Sequence, residues 1–441
     1  MEDEAIGIRA FEYGGRHPLW RRDQRCKCEM EDRISTLPSN IIELILIYLP
    51  LAEAVRTSIL SSRWRFQWCT IPHLIFDNQS LSLPVKYKLE NVVDQVLLLH
   101  SGPIHKFTFN AYPGIKDVAP VYRWLVFLSR NYLKELVLKF CASRLYKLPT
   151  ALYSCQAIVS LDLHDCEFNL PRSFNGFSCL TILLLKKISI SESDFASLIS
   201  KCPLLRKLVF IDFYWRCHLK LNAPRLQELI VEGVFSNIYL QHTPDLASLS
   251  LRLKEDQEFE DEHTESEEEC DFNKCLTNIL KIEKLELQKH FLDFMTRGHA
   301  FVQFPIYNCL KKVFLSWFSF VDLKHVMLLQ SLLRNTPVLN ELEIEADSDE
   351  SIATTPTSSF FDKKESRNFS LDQLRNVRLA EVVGVRAEME FIEFLLSSAS
   401  RLESLIINIK LAVDTLGEIK IYKEIMRFRR ASTRAEIVIL D

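Results

Sequence analysis

Glycine is scarce in this sequence of 441 residues, with only ten copies. That is about 2% of the chain, against roughly 7% in an average protein. Loops that cradle phosphate groups need glycine, because only glycine readily combines positive φ angles with a close approach of the backbone. The one adjacent pair, Gly14 and Gly15, lies in a polar N-terminal segment. The scarcity therefore disfavours a nucleotide-dependent enzyme.

The sequence also lacks the short motifs of catalysis and metal binding. It contains no HExxH, GxSxG or P-loop pattern, and none of its twelve cysteines forms a CxxC pair. Cys26 and Cys28 are too close together for an ordinary zinc knuckle. His164 precedes Asp165 and Cys166, but neighbouring residues of a strand point to opposite faces. We therefore predict a non-catalytic protein with no catalytic residues, no metal and no cofactor.

Long apolar runs and a strong charge of one sign are missing as well. No stretch reaches the roughly 18 apolar residues of a membrane helix, and the first residues do not form the apolar core of a secretory leader. The formal net charge is −4 and the isoelectric point about 6.3. We expect free thiols in a reducing compartment, the nucleus and/or the cytoplasm, with no nucleic-acid partner and no membrane partner.

Residues 31–72 are predicted to form a small module of three helices. The first helix is expected between Pro38 and Pro50, with Asn40 and Glu43 as a capping pair. Its apolar side chains fall into two stripes, one of Ile41, Ile45 and Leu49 and the other of Ile42 and Leu46. The second helix is expected to carry Ala54, Val55, Ser58 and Ile59, and the third Trp64 and Trp68.

This module holds more apolar side chains than about forty residues bury easily. One explanation is that the surplus apolar face binds a partner protein. The other is that it packs against the following domain. The apolar periodicity by itself leaves both explanations open.

The order of residues in the module resembles the F-box of plant F-box proteins. The resemblance runs from Leu37-Pro38 through Tyr48-Leu49-Pro50 and Arg63-Trp64-Arg65 to Ile71-Pro72. It implies docking on a Skp-type adaptor and, through that adaptor, on a cullin scaffold. The adaptor-binding residues that it implies are Leu37, Pro38, Ile41, Ile42, Ile45, Leu46, Leu49, Pro50, Ala54, Val55, Ser58, Leu60, Trp64 and Trp68. The sequence departs from the usual pattern at Ser62, where lysine is common, and at Gln67, where leucine is common.

A phrase of the form apolar-x-x-apolar-x-apolar recurs eleven times after the module. It begins at Leu133, Ile158, Leu180, Leu205, Leu226, Leu246, Ile282, Leu310, Leu339, Leu374 and Leu402. The intervals suit leucine-rich repeats, in which each unit has one strand and a return segment. Residues 195–203 and 327–337 have helical periodicity and are predicted to be such return segments. The fold predicted is an α/β leucine-rich-repeat solenoid, with parallel strands on the concave side and helices and loops on the convex side. A purely helical array is a weaker alternative, because the Leu-x-Leu triplets have the period of a strand.

Two cysteines occupy a defined place in this repeat. Cys141 and Cys166 each lie three residues after the second strand leucine, at the Asn/Cys position of leucine-rich repeats. We therefore expect both to be structural, with a bond to the backbone at the turn, and not reactive.

Four regions follow from these patterns: a polar tail at 1–30, the F-box at 31–72, the repeats at 73–370 and a C-terminal region at 371–441. The last resembles the FBD domain of plant F-box proteins, mainly through its ending from Phe428 to Val438, and is expected to cap the solenoid. Residues 255–271 hold eleven acidic residues and no Lys or Arg. We expect a disordered insertion near 255–275, or alternatively a tether for a basic partner.

Strand residues that alternate with the core leucines are predicted to form a target-binding concave face. The candidates are Asp162, His164, Leu184, Lys186, Val209, Ile230, Glu232 and Arg252, with further polar positions at Glu286, Gln288, Glu343, Glu345, Arg378 and Asn408. Leu184, Val209 and Ile230 are expected to form an apolar strip flanked by charge. The alternative is that neighbouring loops cover this strip.

The family resemblance implies a substrate-recognition subunit of a Skp–cullin–F-box (SCF) ubiquitin ligase. The F-box would bind the adaptor, and the repeats would hold an unknown protein target for ubiquitination. Two alternatives stay open: a small-molecule, hormone-like co-receptor, or an adaptor-bound scaffold without degradation.

Overall fold

The computed structural model describes residues 34, 36–77, 88–110, 119–140, 145–213, 218–235, 237–254, 279–296, 304–347 and 371–440. The chain divides into two compact units, residues 1–194 and residues 195–441, and each is described by itself. The predicted polar tail, the acidic insertion and Cys141 lie outside the described residues.

The first unit begins with the predicted helical module. Its α-helices are α1 (Ser39–Ile47) and α2 (Leu51–Arg56), and two 3₁₀ helices follow at Thr57–Ile59 and Gln67–Thr70. The two prolines precede the helices, because proline lacks the N–H that a first turn leaves unbonded. The carbonyl of Pro38 accepts from the Ile42 amide at 3.1 Å, and that of Pro50 from the Ala54 amide at 2.9 Å.

Two details of the predicted module are corrected. The N-terminus of α1 has no side-chain cap, so the expected pairing of Asn40 with Glu43 is wrong. Pro38 already occupies the cap position, which places Asn40 inside the first turn. The predicted third helix is a turn that carries Trp64 and a 3₁₀ segment that carries Trp68.

A parallel sheet forms the rest of the first unit. Its strands are β1 (His73–Asp77), β2 (Lys106–Asn110), β3 (Glu135–Lys139), β5 (Ser160–Phe168) and β6 (Ile182–Ile190), in that order, with the short β4 (Tyr146–Lys147) paired to β5. The connecting helices are α3 (Leu89–Leu99), α4 (Ala119–Leu128) and a 3₁₀ helix at Thr150–Ser154. The boundary between the units falls within α5 (Glu192–Ser200).

The second unit continues the same construction. Its parallel strands are β7 (Lys207–Phe213), β9 (Glu228–Gly233), β11 (Ser248–Leu253), β12 (Lys284–Gln288), β13 (Lys312–Phe318), β14 (Glu341–Ala346), β15 (Asn376–Val382), β16 (Ser404–Ile409) and β17 (Glu436–Leu440). A separate parallel pair is formed by β8 (His218–Asn222) and β10 (Asn237–Gln241). Helices α6 (Lys289–Thr296), α7 (Leu323–Arg334), α8 (Arg386–Ser398) and α9 (Thr415–Ile425) lie between strands.

All eleven recurring phrases form strands, so the α/β solenoid prediction is confirmed. Each strand begins two residues after the first apolar position of its phrase, and the other two apolar positions point into the core. Both predicted return segments overlap helices, residues 195–203 with α5 and 327–337 with α7. The alternating burial follows from the two-residue period of a strand.

Three further strands on the main path of the sheet, β1, β2 and β17, were not predicted, and neither were the short β4, β8 and β10. Before β1 and β2 the phrase is present, but with phenylalanine at its second or third position, as in Ile104-x-x-Phe107-x-Phe109. Phe76, Phe107 and Phe109 are fully buried, and the Phe109 ring lies 4.9 Å from that of Trp124. The third strand, β17, pairs with β16 although its segment lacks the leading apolar residue.

A left-handed turn recurs within five of the strands, just after the core positions of the phrase. Positive φ angles near 55° occur at Asp165, Lys187, Asp212, Trp317 and Glu381, each two residues after the last core residue of its phrase. The residue that follows each of them is buried: Cys166, Ile188, Phe213, Phe318 and Val382. Each turn therefore reverses the side-chain alternation by one residue, as a β-bulge does.

Cys166 fills this position as the repeat pattern predicts. Its thiol contacts the carbonyl oxygen of His164 at 3.1 Å and is fully buried. Burial, with a smaller effect of Asp165, raises the pKa of the Cys166 thiol well above its usual value. The thiol is therefore structural, because a reactive cysteine needs an accessible thiolate.

The C-terminal region contributes repeats to the second unit. Gly384 precedes α8 with φ +79°, and a Cβ at this position would meet the Ile421 side chain at 2.5 Å. The buried Glu388 accepts hydrogen bonds from the amides of Val383, Gly384 and Val385 at 2.7–3.1 Å. Burial raises the pKa of Glu388 to about 7, although these three donors act in the opposite direction.

Candidate functional site

The helical module of the first unit exposes a group of large apolar side chains, here called the apolar surface. Its members are Ile34, Ile41, Leu44, Ile45, Tyr48, Ile59, Leu60 and Phe66. Tyr48 is 87% exposed and Phe66 is 66% exposed. Exposed large apolar side chains concentrated in one short segment mark an interaction site more often than a free surface.

The predicted adaptor-binding residues divide by burial. Leu37, Pro38, Ile41, Ile45, Leu49, Pro50, Val55, Ser58 and Leu60 are exposed or half-buried, whereas Ile42, Leu46, Ala54, Trp64 and Trp68 are buried. The buried five lie in the core of the module, so adaptor binding stays a prediction for them, and their burial indicates a supporting role. Trp64, for example, is 2% exposed and donates from Nε1 to the carbonyl oxygen of Ile34 at 3.2 Å.

Five members of the apolar surface are missing from the predicted set: Ile34, Leu44, Tyr48, Ile59 and Phe66. Leu44 and Tyr48 extend the stripe of Ile41 and Ile45, since positions i, i+3, i+4 and i+7 share one face of a helix. That signal was present in the sequence. Ile59 and Phe66 lie on a 3₁₀ helix and a turn, where no regular period predicts which side chains are exposed.

The polar strand face of the first unit is built around one carboxylate. Asp162 lies beside His164, with Nε2 and Oδ1 2.9 Å apart, and beside Lys139, with Nζ and Oδ2 3.6 Å apart. On the neighbouring strand β6, Leu184 is in register with Asp162 and Lys186 with His164. Cys166 is fully buried in the core, whereas His164 is half-buried on the polar face beside Asp162. The two side chains therefore lie on opposite sides of the sheet.

The polar strand face of the second unit has the inverse arrangement, with one cation between carboxylates. Arg252 on β11 donates from Nε to Glu286 Oε1 at 2.9 Å, and its Nη1 lies 3.5 Å from Glu232 Oε2. Lys254 bonds to Asp212 and lies 3.1 Å from Glu232 Oε1. Burial alone would lower the pKa of Arg252, but Glu286 and Glu232 raise it above its ordinary value.

The central row of this face is more enclosed than the sequence predicts. Val209, Ile230, Ser250 and Glu286 are in register on successive strands. Ile230 is half-buried, but Val209 and Glu286 are each only 8% exposed. The expected apolar strip is therefore interrupted at Val209, because a side chain so nearly buried offers little surface to a partner.

The remaining predicted positions lie farther along the same face. Gln288, Glu343, Glu345 and Asn408 are half-buried and Arg378 is exposed. The Arg378 guanidinium lies 3.7 Å from Glu343. Burial and the neighbouring Glu381 and Glu343 raise the pKa of Glu345, while Arg252 opposes the change.

Asp293, Asp322 and His325 form a cluster of potential metal ligands that was not predicted. One ligand atom from each lies within 4.8 Å of the others. His325 Nε2 is 2.8 Å from Asp293 Oδ1, and Asp322 caps α7 by accepting from the Lys324 amide at 2.8 Å. These contacts describe a side-chain hydrogen bond and a helix cap, and we assign both to stability of the second unit.

Comparisons with known proteins agree with this architecture. Residues 34–75 match the F-box domain, and residues 121–344 match the family described as "FBD-associated F-box protein At5g56370, LRR repeats". The F-box/FBD/LRR-repeat protein At1g13570 of Arabidopsis thaliana is 34% identical over 94% of this chain and 99% of its own length. FBD-associated F-box protein At5g22730 of the same plant is 23% identical, over 93% of this chain and 94% of that protein.

The fold and the N-terminal module thus define an F-box protein with leucine-rich repeats. More narrowly, the chain belongs to the F-box/FBD/LRR-repeat family of plants. Among the described residues, every helix is too short or too polar to cross a membrane.

Proposed function

We propose that this protein is the substrate-recognition subunit of an SCF-type ubiquitin ligase. The observation that carries the proposal is the apolar surface, which lies within residues 34–75, the match to the F-box domain. F-box domains generally bind Skp-type adaptors, and an adaptor would cover these side chains. Through the adaptor the chain would join a cullin scaffold, and its repeats would hold the protein to be ubiquitinated.

The two proposed roles, adaptor binding by the F-box and target binding by the repeats, follow from the chemistry of the two surfaces. An apolar surface binds by excluding water, with roughly 25 cal/mol gained for each Å² of apolar area buried. The strand face of the second unit is charged and half-buried, which suits discrimination between partners more than raw affinity. The predicted target contacts Glu232 and Arg252 lie on this face. The transfer chemistry would belong to other subunits of the ligase.

The alternative of a small-molecule co-receptor finds less support. A site for an acidic hormone-like ligand needs converging cations that are available to it. In the described part of the second unit, Arg252 and Lys254 are already paired with Glu232, Glu286 and Asp212. A neutral or basic ligand would still be compatible with this face.

The adaptor part of the proposal is tested by Leu44→Asp in the full chain, co-purified with a recombinant plant Skp-type adaptor. Leu44 is 53% exposed, so the variant should fold. A carboxylate buried in the contact should weaken adaptor binding at least about hundredfold. The matched control is Leu98→Asp, the same change at an exposed leucine of α3 outside the module. Equal adaptor recovery from the two variants would contradict the proposal.

The ligase part is separated from a scaffold role by reconstitution. Wild-type chain, adaptor, cullin and RING subunit should support ubiquitination of a bound target, and Leu44→Asp should abolish it. A stable adaptor complex that never modifies its bound target would favour the scaffold alternative.

A further inference from the structure

An exposed tryptophan lies at the end of the polar strand face of the second unit. Trp317 on β13 is 52% exposed and has a φ angle of +58°. The register with β14 shifts here: Leu315 pairs with Ile344, and Phe318 pairs with Ala346. Ser316 and Trp317 therefore both lie opposite Glu345 in the register of the two strands.

Carboxylates outnumber cations around this position. On strands β7 to β15, with Lys254 directly after β11, this face carries eight carboxylates: Asp212, Glu228, Glu232, Glu286, Glu341, Glu343, Glu345 and Glu381. It carries six cations: Lys207, Arg252, Lys254, Lys284, Lys312 and Arg378. Eight carboxylates against six cations leave an excess of two negative charges. The excess is concentrated on β14 and β15, where Glu343, Glu345 and Glu381 are close enough to raise the pKa of Glu345, which burial also raises.

The same face also holds an unsatisfied buried hydroxyl. Ser250 is 4% exposed, and its Oγ has no hydrogen-bond partner among the described residues. It lies in register between Ile230 and Glu286, on the side of the sheet away from the core. A buried polar group without a partner is unfavourable, so this hydroxyl marks a weak point in the packing of the face.

We propose that the strand face of the second unit binds an arginine- or lysine-bearing segment of a partner protein, with Trp317 contacting one cationic side chain. This rests on the proposed function, in which the repeats hold a target, and adds the chemistry of that target. Cations are attracted to the face of an indole ring within about 6 Å. Arginine also forms charge-assisted hydrogen bonds to carboxylates such as Glu345.

The same charges argue against a nucleic-acid ligand. A phosphate backbone is bound through clustered Lys and Arg side chains. Here the cations are outnumbered, and Arg252 and Lys254 are already bonded to carboxylates of the same face. A basic protein segment is therefore the occupant that the charge distribution favours.

The experiment measures binding of a fluorescein-labelled arginine–serine repeat peptide to the full chain by fluorescence anisotropy. Wild type should bind this peptide at concentrations below about 1 mM, and at least about tenfold more tightly than a glutamate–serine repeat peptide. Trp317→Ala and the double variant Glu345→Gln/Glu381→Gln should each weaken binding about tenfold. The double variant keeps Trp317, so it remains informative if Trp317→Ala unfolds.

Two matched controls accompany these variants. Tyr132→Ala removes an exposed aromatic residue that also has positive φ, but that lies in the first unit. Glu283→Gln/Glu403→Gln removes two exposed carboxylates of the second unit that precede the strands. Both should bind the peptide within about twofold of wild type.

The proposal is overturned if wild type does not bind the arginine peptide, if the controls lose as much affinity as the test variants, or if single-stranded RNA binds more tightly than the peptide. Adaptor co-purification of Trp317→Ala separates this proposal from the proposed function. A wild-type chain that captures the adaptor but does not bind the arginine peptide would refute only the basic-segment proposal. Loss of adaptor capture by wild type would refute only the ligase role.

Discussion

The apolar surface of the F-box and the polar strand face of the second unit differ in how their side chains are satisfied. Tyr48 and Phe66 project from the F-box with most of their surface in water. Arg252 and Glu286 are already bonded to each other within the chain. A partner of the F-box needs only to exclude water, whereas a partner of the strand face must compete with internal ion pairs. The first surface is suited to a constant partner and the second to selection among partners.

The largest expected effect separates the core of the F-box from its surface. Trp64→Ala should cost about 3–5 kcal/mol, because it leaves a cavity and removes the bond to the Ile34 carbonyl. The F-box should then unfold and lose the adaptor. Phe66→Ala should lose adaptor affinity while the far-UV circular dichroism and melting temperature stay near those of wild type. If Trp64→Ala keeps both fold and adaptor binding, the assignment of Trp64 to the core is wrong.

A smaller loss of stability is expected from Arg252→Met. The change leaves the Glu286 carboxylate, which is nearly buried, with Lys284 Nζ at 3.9 Å as its one counter-ion among the described residues. Breaking a fully buried pair costs about 3–5 kcal/mol, and we expect about 2 because Arg252 is partly exposed. Thermal unfolding measures the loss. Adding Glu286→Leu should restore much of it, and a double variant no more stable than Arg252→Met would show that the ion pair is not the cause.

Salt should sharpen the contrast between the two surfaces. Raising ionic strength from about 0.05 to 0.5 M shortens the screening length several-fold, so arginine-peptide affinity should fall about tenfold. Adaptor affinity should change less than about threefold, because burial of apolar area does not depend on charge. Titrations of both ligands over the same salt series test this. Equal salt dependence of the peptide and adaptor affinities would show that the two surfaces do not differ in the role of charge.

The smallest effect is a dependence on pH confined to the strand face. Because the pKa of Glu345 is raised by burial and by Glu381 and Glu343, it gains a proton at a higher pH than an ordinary glutamate. Only the ionised form attracts a cation, so lowering the pH from 7 towards about 5 should weaken peptide binding two- to threefold. Adaptor binding should not change. Glu345→Gln should reduce the pH dependence, and an undiminished dependence in that variant would assign it to another group.

The repeated phrase predicted the strands because its spacing has the period of a pleated strand. Leu161 and Leu163, for example, had to share one face whatever the rest of the chain did. The same signal was present before β1 and β2, since the predicted phrase of β7 likewise ends in a phenylalanine, Phe210, whose ring fills the same core position. The predicted cap of Asn40 and Glu43 was wrong because Pro38 is the N-cap residue, so the helix begins two residues earlier than that pairing needs.

Burial in the F-box could not be predicted in the same way. The sequence identified apolar positions but not which of them water reaches, because Trp64 and Phe66 lie in turns without a helical period. The five positions with positive φ could not be predicted from the sequence either. Their residues share no type that signals positive φ: Asp165, Lys187, Asp212, Trp317 and Glu381. Their common position emerged only from the register of neighbouring strands.

The sequence by itself determined the family, the order of the modules and the alternation of core and polar residues along each strand, because these depend on local spacing. Only the tertiary structure decided which apolar residues of the F-box remain exposed and which charges of the strand face meet. Those outcomes depend on residues far apart in the chain, such as Arg252 and Glu286, which parallel pairing brings onto adjacent strands. Local periodicity contains no information about such pairs, whereas the register of the sheet fixes them.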